Sequence, residues 1–423
     1  MFKRVAGTKD ILPDEIFWWQ KIESASRSIF STYNYREIRP PIIEEAALFN
    51  RSLGEFTEVV QKQMFLIKNQ QESYALRPEA TASIVRAYIE NSLDKTCGFS
   101  KFYYLGPMFR LERPQKGRLR QFHHIGAEAI GSSSPDIDAE VISLADTLLK
   151  AYSVEGYELK INSIGCADDK KELTKILHKG LAQELGNLCP DCNARFNNNI
   201  LRILDCKNEA CRKIVAKLDI EGNHLCPECK EHFNRVKQGL DDLGINYRIW
   251  PHLVRGLDYY TRTVFEITHA NLGSQDALCA GGRYDNLIQE LGGPDLGAMG
   301  FAFGVERLNL VSTMALSLTA EKKLVFLITL GESARKEGAK ILARLRRADI
   351  PCDTDYAGKS LKGAMRAAND LGAALVLILG EDELKKNVIA LKSMASGEQK
   401  EIRLEDLTKE LKCSGPTTAD SCP

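Results

Sequence analysis

The chain has 423 residues, 44% of them hydrophobic, and its 57 Lys and Arg balance 57 Asp and Glu. That length supports two or three domains with substantial cores, and the even charge excludes a global basic field, so any nucleic-acid contact must come from local patches. No apolar run approaches the roughly 20 residues of a membrane helix, the first residues carry no signal-like apolar segment, and a soluble cytoplasmic protein without membrane association is the expectation.

Asp14 to Thr32 puts Ile16, Ile22, Ala25, Ile29 and Phe30 near helical spacing behind Pro13, which predicts an amphipathic helix. Arg36 to Glu44 reads as a strand carrying the double proline Pro40-Pro41, which suits a sheet edge. A short strand from Met64 to Ile67 precedes Leu76-Arg77-Pro78-Glu79-Ala80-Thr81, which opens a helix through Ile89. Pro78 fits its first turn, and Glu79 can cap the positive helix end.

Phe109 to Phe122 sets Arg110, Arg113, Lys116, Arg118 and Arg120 with one carboxylate, Glu112, between two aromatics. Flanking apolar residues predict two strands, and Pro114 and Gly117 predict a hairpin loop between them. Period-two alternation puts Arg110 and Glu112 on one face of the first strand. A solvated, salt-bridged hairpin is the bland reading; the alternative is an anion site in which guanidinium forks, a carboxylate and a stacking surface act together.

Asp136 to Tyr152 has strong helical periodicity, and Tyr157 to Ile164 reads as a strand. Asp168 to Leu243 then turns polar and helical, carrying Cys189-Pro-Asp-Cys192, Cys206, Cys211 and Cys226-Pro-Glu-Cys229 before a strand pattern resumes at Tyr247 to Trp250. We read this as an inserted subdomain too poor in apolar residues to build much core. Its two Cys-x-x-Cys knuckles predict one structural zinc held by Cys189, Cys192, Cys226 and Cys229, with Cys206 and Cys211 spare, joining it, or forming a second site.

Leu253 to Glu266 places Arg255-Gly-Leu-Asp-Tyr259-Tyr260 before a strand, and Ala280-Gly-Gly-Arg-Tyr284-Asp and Gly297 to Leu308 follow. The glycines do not have dinucleotide-fold spacing. Ser312 to Lys322 reads as a linker. Strand-like runs at Leu324 to Leu330, Ile350 to Asp355, Ala374 to Leu379 and Val388 to Leu391 alternate with helices at Ala334 to Arg347 and Ser360 to Leu371, a small α/β domain. Lys359, Lys362 and Arg366 share a helix face that is either solvated or a nucleic-acid contact.

The hairpin resembles motif 2 of class II aminoacyl-tRNA synthetases, and Glu112-Arg-Pro-Gln-Lys-Gly-Arg118 with Arg120-Gln-Phe-His123 resembles the histidyl-tRNA synthetase family, as does Arg255-Gly-Leu-Asp-Tyr-Tyr260. The first helix and strand resemble motif 1, which implies a homodimer interface, and Gly297 to Leu308 resembles motif 3. The implied fold is an α+β catalytic domain on a mostly antiparallel sheet (1–166 and 244–311), interrupted by a helical cysteine-rich insertion (167–243). A linker (312–322), a C-terminal α/β anticodon-binding domain (323–412) and a disordered tail (413–423) complete it.

The resemblance implies activation of histidine with ATP and magnesium and transfer to tRNA(His). Arg110 would hold the substrate carboxylate and α-phosphate, Arg255 the transferring phosphoryl group, and Arg118 and Arg307 the distal phosphates. Phe122 would stack on adenine with Glu112 accepting from its amino group. Glu79, beside Ala80 and Thr81, would take the α-ammonium, as would His124, which stands where relatives carry Gln. Glu128 and Tyr260 would meet the imidazole, with Tyr259 and Tyr284 nearby. The alternative is the family's non-catalytic paralogue, a histidine-sensing regulatory subunit of ATP phosphoribosyltransferase.

Overall fold

The computed structural model describes residues 2–54, 57–69, 72–218, 220, 222–273, 276–314 and 324–413, and the chain divides into two compact units, Met1–Ala315 and Leu316–Pro423. The first opens with the helix Pro13–Thr32, started by Pro13 at its first turn with Asp14 and Glu15 behind it. Its buried face runs through Trp18, Ile22, Ser26 and Phe30, four residues apart; Ile16, Ala25 and Ile29 flank that stripe and are only partly buried.

In chain order the strands of this unit are β1 (Arg36–Glu37), β2 (Ile43–Glu45), β3 (Phe65–Lys68), β4 (Ser73–Leu76), β5 (Ser100–Phe109), β6 (Gln121–Ile130), β7 (Tyr157–Ser163), β8 (Arg248–Ile249), β9 (Thr261–His269), β10 (Ala277–Arg283) and β11 (Ala298–Gly304). Eight of them form a sheet in the order β1-β5-β6-β11-β10-β9-β7-β8, antiparallel except for the outer pairs β1–β5 and β7–β8. The expected strand from Arg36 to Glu44 is split at its prolines. Its first part edges this sheet, and its second joins a small sheet in the order β2-β4-β3.

β5 and β6 pair residue for residue from Ser100↔Ile130 to Phe109↔Gln121. Both faces of β6 are covered, so Ile125 to Ile130 are buried without interruption. β5 stops at Phe109, and the pleat therefore does not set Arg110 and Glu112 on a common face as expected. The Arg110 N–H still bonds to the Arg120 carbonyl (2.9 Å), whereas the Glu112 N–H turns back to the Arg110 carbonyl (2.8 Å).

The insertion is helical at Ala167–Leu181, Pro190–Asn198, Glu209–Val215 and Pro227–Asp242. It is not poor in core: Leu173, Leu177, Leu181, Ile200, Ile203 and Val215 are buried in one continuous apolar cluster with Phe49, Ile84 and Tyr284 outside the insertion. Its last helix is anchored by a buried polar contact. His232 Nε2 lies 2.9 Å from Asp138 on the helix Pro135–Ala151, and Asp138 also pairs with Arg283 at 2.7 Å, with Arg283 and Asp138 fully buried.

In the second unit β12 (Val325–Thr329), β13 (Cys352–Thr354), β14 (Leu375–Leu379), β15 (Val388–Ser393) and β16 (Gln399–Arg403) form one sheet in the order β13-β12-β14-β15-β16. Helices Glu332–Arg347 and Leu361–Asp370 cover it. β16 was not expected from its polar sequence. The expected linker lies mostly, and the expected disordered tail almost wholly, outside the described residues.

Candidate active site

A cavity of about 310 Å³ opens on the face of the large sheet where β5, β6, β10 and β11 meet. Glycine makes this possible. A Cβ at Gly300 would collide with the Glu128 carboxylate on β6, so only the bare backbone of β11 lets that side chain lie flat across the sheet.

At one end of the cavity, Glu79 precedes the helix Thr81–Glu90 and caps it. Its oxygens accept the N–H groups of Thr81 (2.7 Å) and Ala82 (3.0 Å). Burial raises its pKa, and those amides partly offset the rise. Thr81 also donates to Glu128 (2.8 Å), which accepts from Tyr284 at 2.5 Å. Glu128 is 1% exposed, and burial pushes its pKa up to about 8 against the two hydroxyl donors. Tyr259 and Tyr260 pack ring to ring at 4.7 Å, and Tyr259 edges Tyr284 at 5.7 Å.

At the other end lie four arginines. Arg110 donates to the Pro78 carbonyl (2.9 Å) with its guanidinium over the Phe122 ring at 5.3 Å. Arg255 pairs with Glu266 at 2.5 Å, and its Nε is enclosed with no partner among the described residues. Arg307 donates to the Gly117 (3.1 Å) and Ala277 (2.7 Å) carbonyls. Burial, then Arg118 and Arg110, push it down to about 10. Burial, then Arg110, likewise lowers Arg118, which pairs with Glu112. His124 sits where the ends meet, its Nδ1 enclosed and unpaired; burial, then Arg110, Arg307, Arg77 and His123, hold its pKa well below the imidazole range.

Thus Arg110, Glu112, Arg118, Phe122, Arg255 and Arg307, with Glu79, Thr81, His124, Tyr259, Tyr260 and Tyr284, line one cavity. Two expected residues do not. Ala80 is fully buried at the start of the helix, and Glu128 lies behind the wall, holding Thr81 and Tyr284. Sequence reasoning missed Arg202, Asp205 and Lys207, which line the cavity from the insertion, and Glu266, the partner of Arg255. The only signal was an arginine embedded in the apolar run Ile200-Leu-Arg-Ile-Leu204.

The expected zinc set is not what the fold assembles. Cys189 and Cys192 gather with Cys206 and Cys211, while Cys226 and Cys229 gather with Cys166 and Asp169. Each knuckle begins its own helix, at Pro190 and Pro227, and each gathers with other residues rather than with the second knuckle.

A family model described as "Histidyl-tRNA synthetase" matches residues 7–308, and one described as "Anticodon binding domain" matches residues 324–414. The chain belongs to the histidyl-tRNA synthetase family. It is 44% identical to the histidine–tRNA ligase of Thermodesulfovibrio yellowstonii over 96% of this chain and 97% of that protein. Against the ligase of Halothermothrix orenii the identity is again 44%, over 97% and 98%. The solved apo S. aureus histidyl-tRNA synthetase superposes with a TM-score of 0.81 at 36% identity, covering 97% of this chain and all of that one. The family makes this chain an ATP-dependent aminoacyl-tRNA ligase, with ATP, histidine and tRNA as substrates, rather than the regulatory paralogue. No helix among the described residues is long and apolar enough to cross a membrane.

Proposed function

We propose that the histidine carboxylate attacks the α-phosphorus of ATP inside this cavity, forming histidyl-adenylate and pyrophosphate, and that the histidyl group then passes to the 3′ end of tRNA(His). The observation that carries this reading is the meeting of four arginines with the Glu79 carboxylate on the wall of one cavity, with Glu128 behind it holding Thr81 and Tyr284. Attack builds charge on phosphate oxygens, which fixed cations stabilise without reorganising. Arg110 and Arg255 face the transferring phosphoryl group; Arg307, held by two backbone carbonyls, and Arg118 take the distal phosphates. Glu112 now occupies Arg118, so nucleotide binding exchanges that pair: Arg118 turns to phosphate and Glu112 to the adenine amino group stacked on Phe122.

Glu79 and neutral His124 accept from the α-ammonium, and the imidazole lies among Tyr259, Tyr260 and Tyr284. Glu128 acts from behind by fixing the Tyr284 and Thr81 hydroxyls. A pocket whose polar atoms need both ring nitrogens rejects other amino acids, because those leave buried groups unpaired. Magnesium bound with the triphosphate would supply neutralising charge, and Glu266 and Asp276, two of the lining carboxylates, would help hold it.

The protein acts in the cytoplasm as a homodimer, built on motif 1 and the neighbouring edge strands, where Phe17, Ile42, Ile43, Leu66 and Ile67 stay exposed. The C-terminal unit meets the anticodon arm with Lys359, Lys362 and Arg366, beside Tyr356 at 77% exposure. Zinc is a structural ion of the insertion. Histidine-dependent ATP–pyrophosphate exchange tests the central reading; no exchange with histidine, or equal exchange with other amino acids, refutes it.

A further inference from the structure

We infer that the insertion holds two zinc ions, a tip ion on Cys189, Cys192, Cys206 and Cys211, and a base ion on Cys166, Asp169, Cys226 and Cys229. This deepens the structural-zinc reading just given and names the ligands and what each ion fixes. In each group the four candidate ligand atoms lie within 4.8 Å of one another. Four sulfurs about 2.3 Å from a tetrahedral zinc are about 3.8 Å apart. Cys189 and Cys206 have their sulfurs 3.9 Å apart, the edge of such a tetrahedron and far beyond a disulfide bond. Seven of the chain's twelve cysteines are used this way.

Backbone amides already point at the sulfurs as they do around thiolate ligands. Cys189 N–H donates to Cys211 Sγ (3.2 Å), Asn208 N–H to Cys206 Sγ (3.4 Å) and Cys229 N–H to Cys226 Sγ (3.5 Å). In the base group Asp169 accepts from Cys166 N–H (3.1 Å) and Cys226 N–H (2.8 Å), one on each oxygen. Each carboxylate oxygen has two lone pairs, so one is left for a metal. Three thiolates and a carboxylate, or four thiolates, close a zinc shell, and neither ion has an open position for chemistry.

The two ions do different things. The base ion ties the start of the insertion, just after β7, to the start of its last helix, clamping the entry and exit of the excursion. The tip ion cross-links the loop that carries Cys206 between Asp205 and Lys207, and those two residues with Arg202 form the insertion's side of the active cavity. The tip ion is therefore a positioning device for that wall.

Full-length protein purified without chelator is assayed for zinc and for exchange. About two zinc per chain is expected. Cys206→Ser and Cys211→Ser each lose one and raise the exchange KM severalfold with a smaller change in kcat; Cys226→Ser loses the other and leaves exchange as it was. Two zinc that survive Cys226→Ser overturn the base site, two that survive Cys206→Ser overturn the tip site, and an unaltered KM in a Cys206→Ser protein that has lost its ion overturns the positioning role. No zinc at all defeats the structural-zinc reading itself. Should the variants fail to fold, replacing zinc by Co²⁺ in the wild-type chain gives the same count, since thiolate-to-cobalt absorption reaching full intensity at two equivalents is expected and saturation at one overturns the pair.

Discussion

At the tyrosine end of the cavity the acidic groups are already met by neutral donors, Glu79 by two helix amides and Glu128 by the hydroxyls of Thr81 and Tyr284. At the arginine end Arg110, Arg118, Arg255 and Arg307 crowd together, and among the described residues only Arg118 and Arg255 have a carboxylate partner. The first end is complete without a ligand and can be rigid in advance. The second stores repulsion that a polyanion relieves: Arg307 is held down to about 10 by burial first and then by Arg118 and Arg110. A site built in this way pre-forms its selectivity and leaves its catalytic field to be balanced by the nucleotide.

The contrast breaks most visibly at Arg255. Arg255→Ala removes a fixed cation where charge develops, and leaves Glu266 facing the cavity unpaired. Exchange should fall on the order of a hundredfold or more, mostly in kcat, with the fold intact by circular dichroism. A rate within a few-fold of wild type would mean that the arginine end is not where charge is stabilised.

Glu128→Gln tests the other end. The amide keeps the shape but offers one acceptor where Thr81 and Tyr284 both donate, and leaving a buried hydroxyl without its acceptor costs about 1–3 kcal/mol. Histidine KM should rise about tenfold or more, with the ATP KM nearly unmoved because the arginines are untouched. Equal changes in both constants would show that the two ends are not separable.

The arginine end was the more legible in the sequence, and the reason is physical. Arg110, Arg118 and Phe122 belong to one hairpin whose apolar flanks announce two strands, so local pattern alone brings them together. Arg202, Asp205 and Lys207 reach the cavity only because the insertion's leucines bury against the catalytic part, a long-range packing choice that no short pattern encodes. The same holds for the cysteines: spacing identified both knuckles, but their partners were decided by where two separate helices point. β16 escaped because all but Ile402 of its residues are exposed, leaving no alternation to read.

The buried carboxylate also marks the pH dependence of stability. Glu128 titrates near 8 when folded and near its ordinary 4.5 when exposed, so between those values the folded chain binds the extra proton and stability falls as pH rises. Glu79 is shifted in the same direction. Wild type should therefore lose more Tm between pH 5 and pH 8 than Glu128→Gln does, a difference worth at most a few kcal/mol. Parallel Tm profiles would place the Glu128 proton elsewhere.

The smallest effect is expected where the two ends meet. His124 pairs with Gly106 of β5 and Gly304 of β11 in the sheet, and the charged groups facing it are Arg110, Arg307, Arg77 and His123. Its depressed pKa keeps it neutral through the physiological range, so its ring can accept from the substrate ammonium as the amide of Gln would. Histidine KM should then follow the same pH profile in wild type and His124→Gln from neutral pH down to mildly acidic pH. The curves should part only in more acidic buffer, where protonation sets an imidazolium against both the ammonium and the arginines and the wild-type KM climbs faster. A separation already present near pH 7 would mean that His124 carries a proton in the working enzyme, and the arginine end would then have to be holding more negative charge than Glu112 and Glu266 supply.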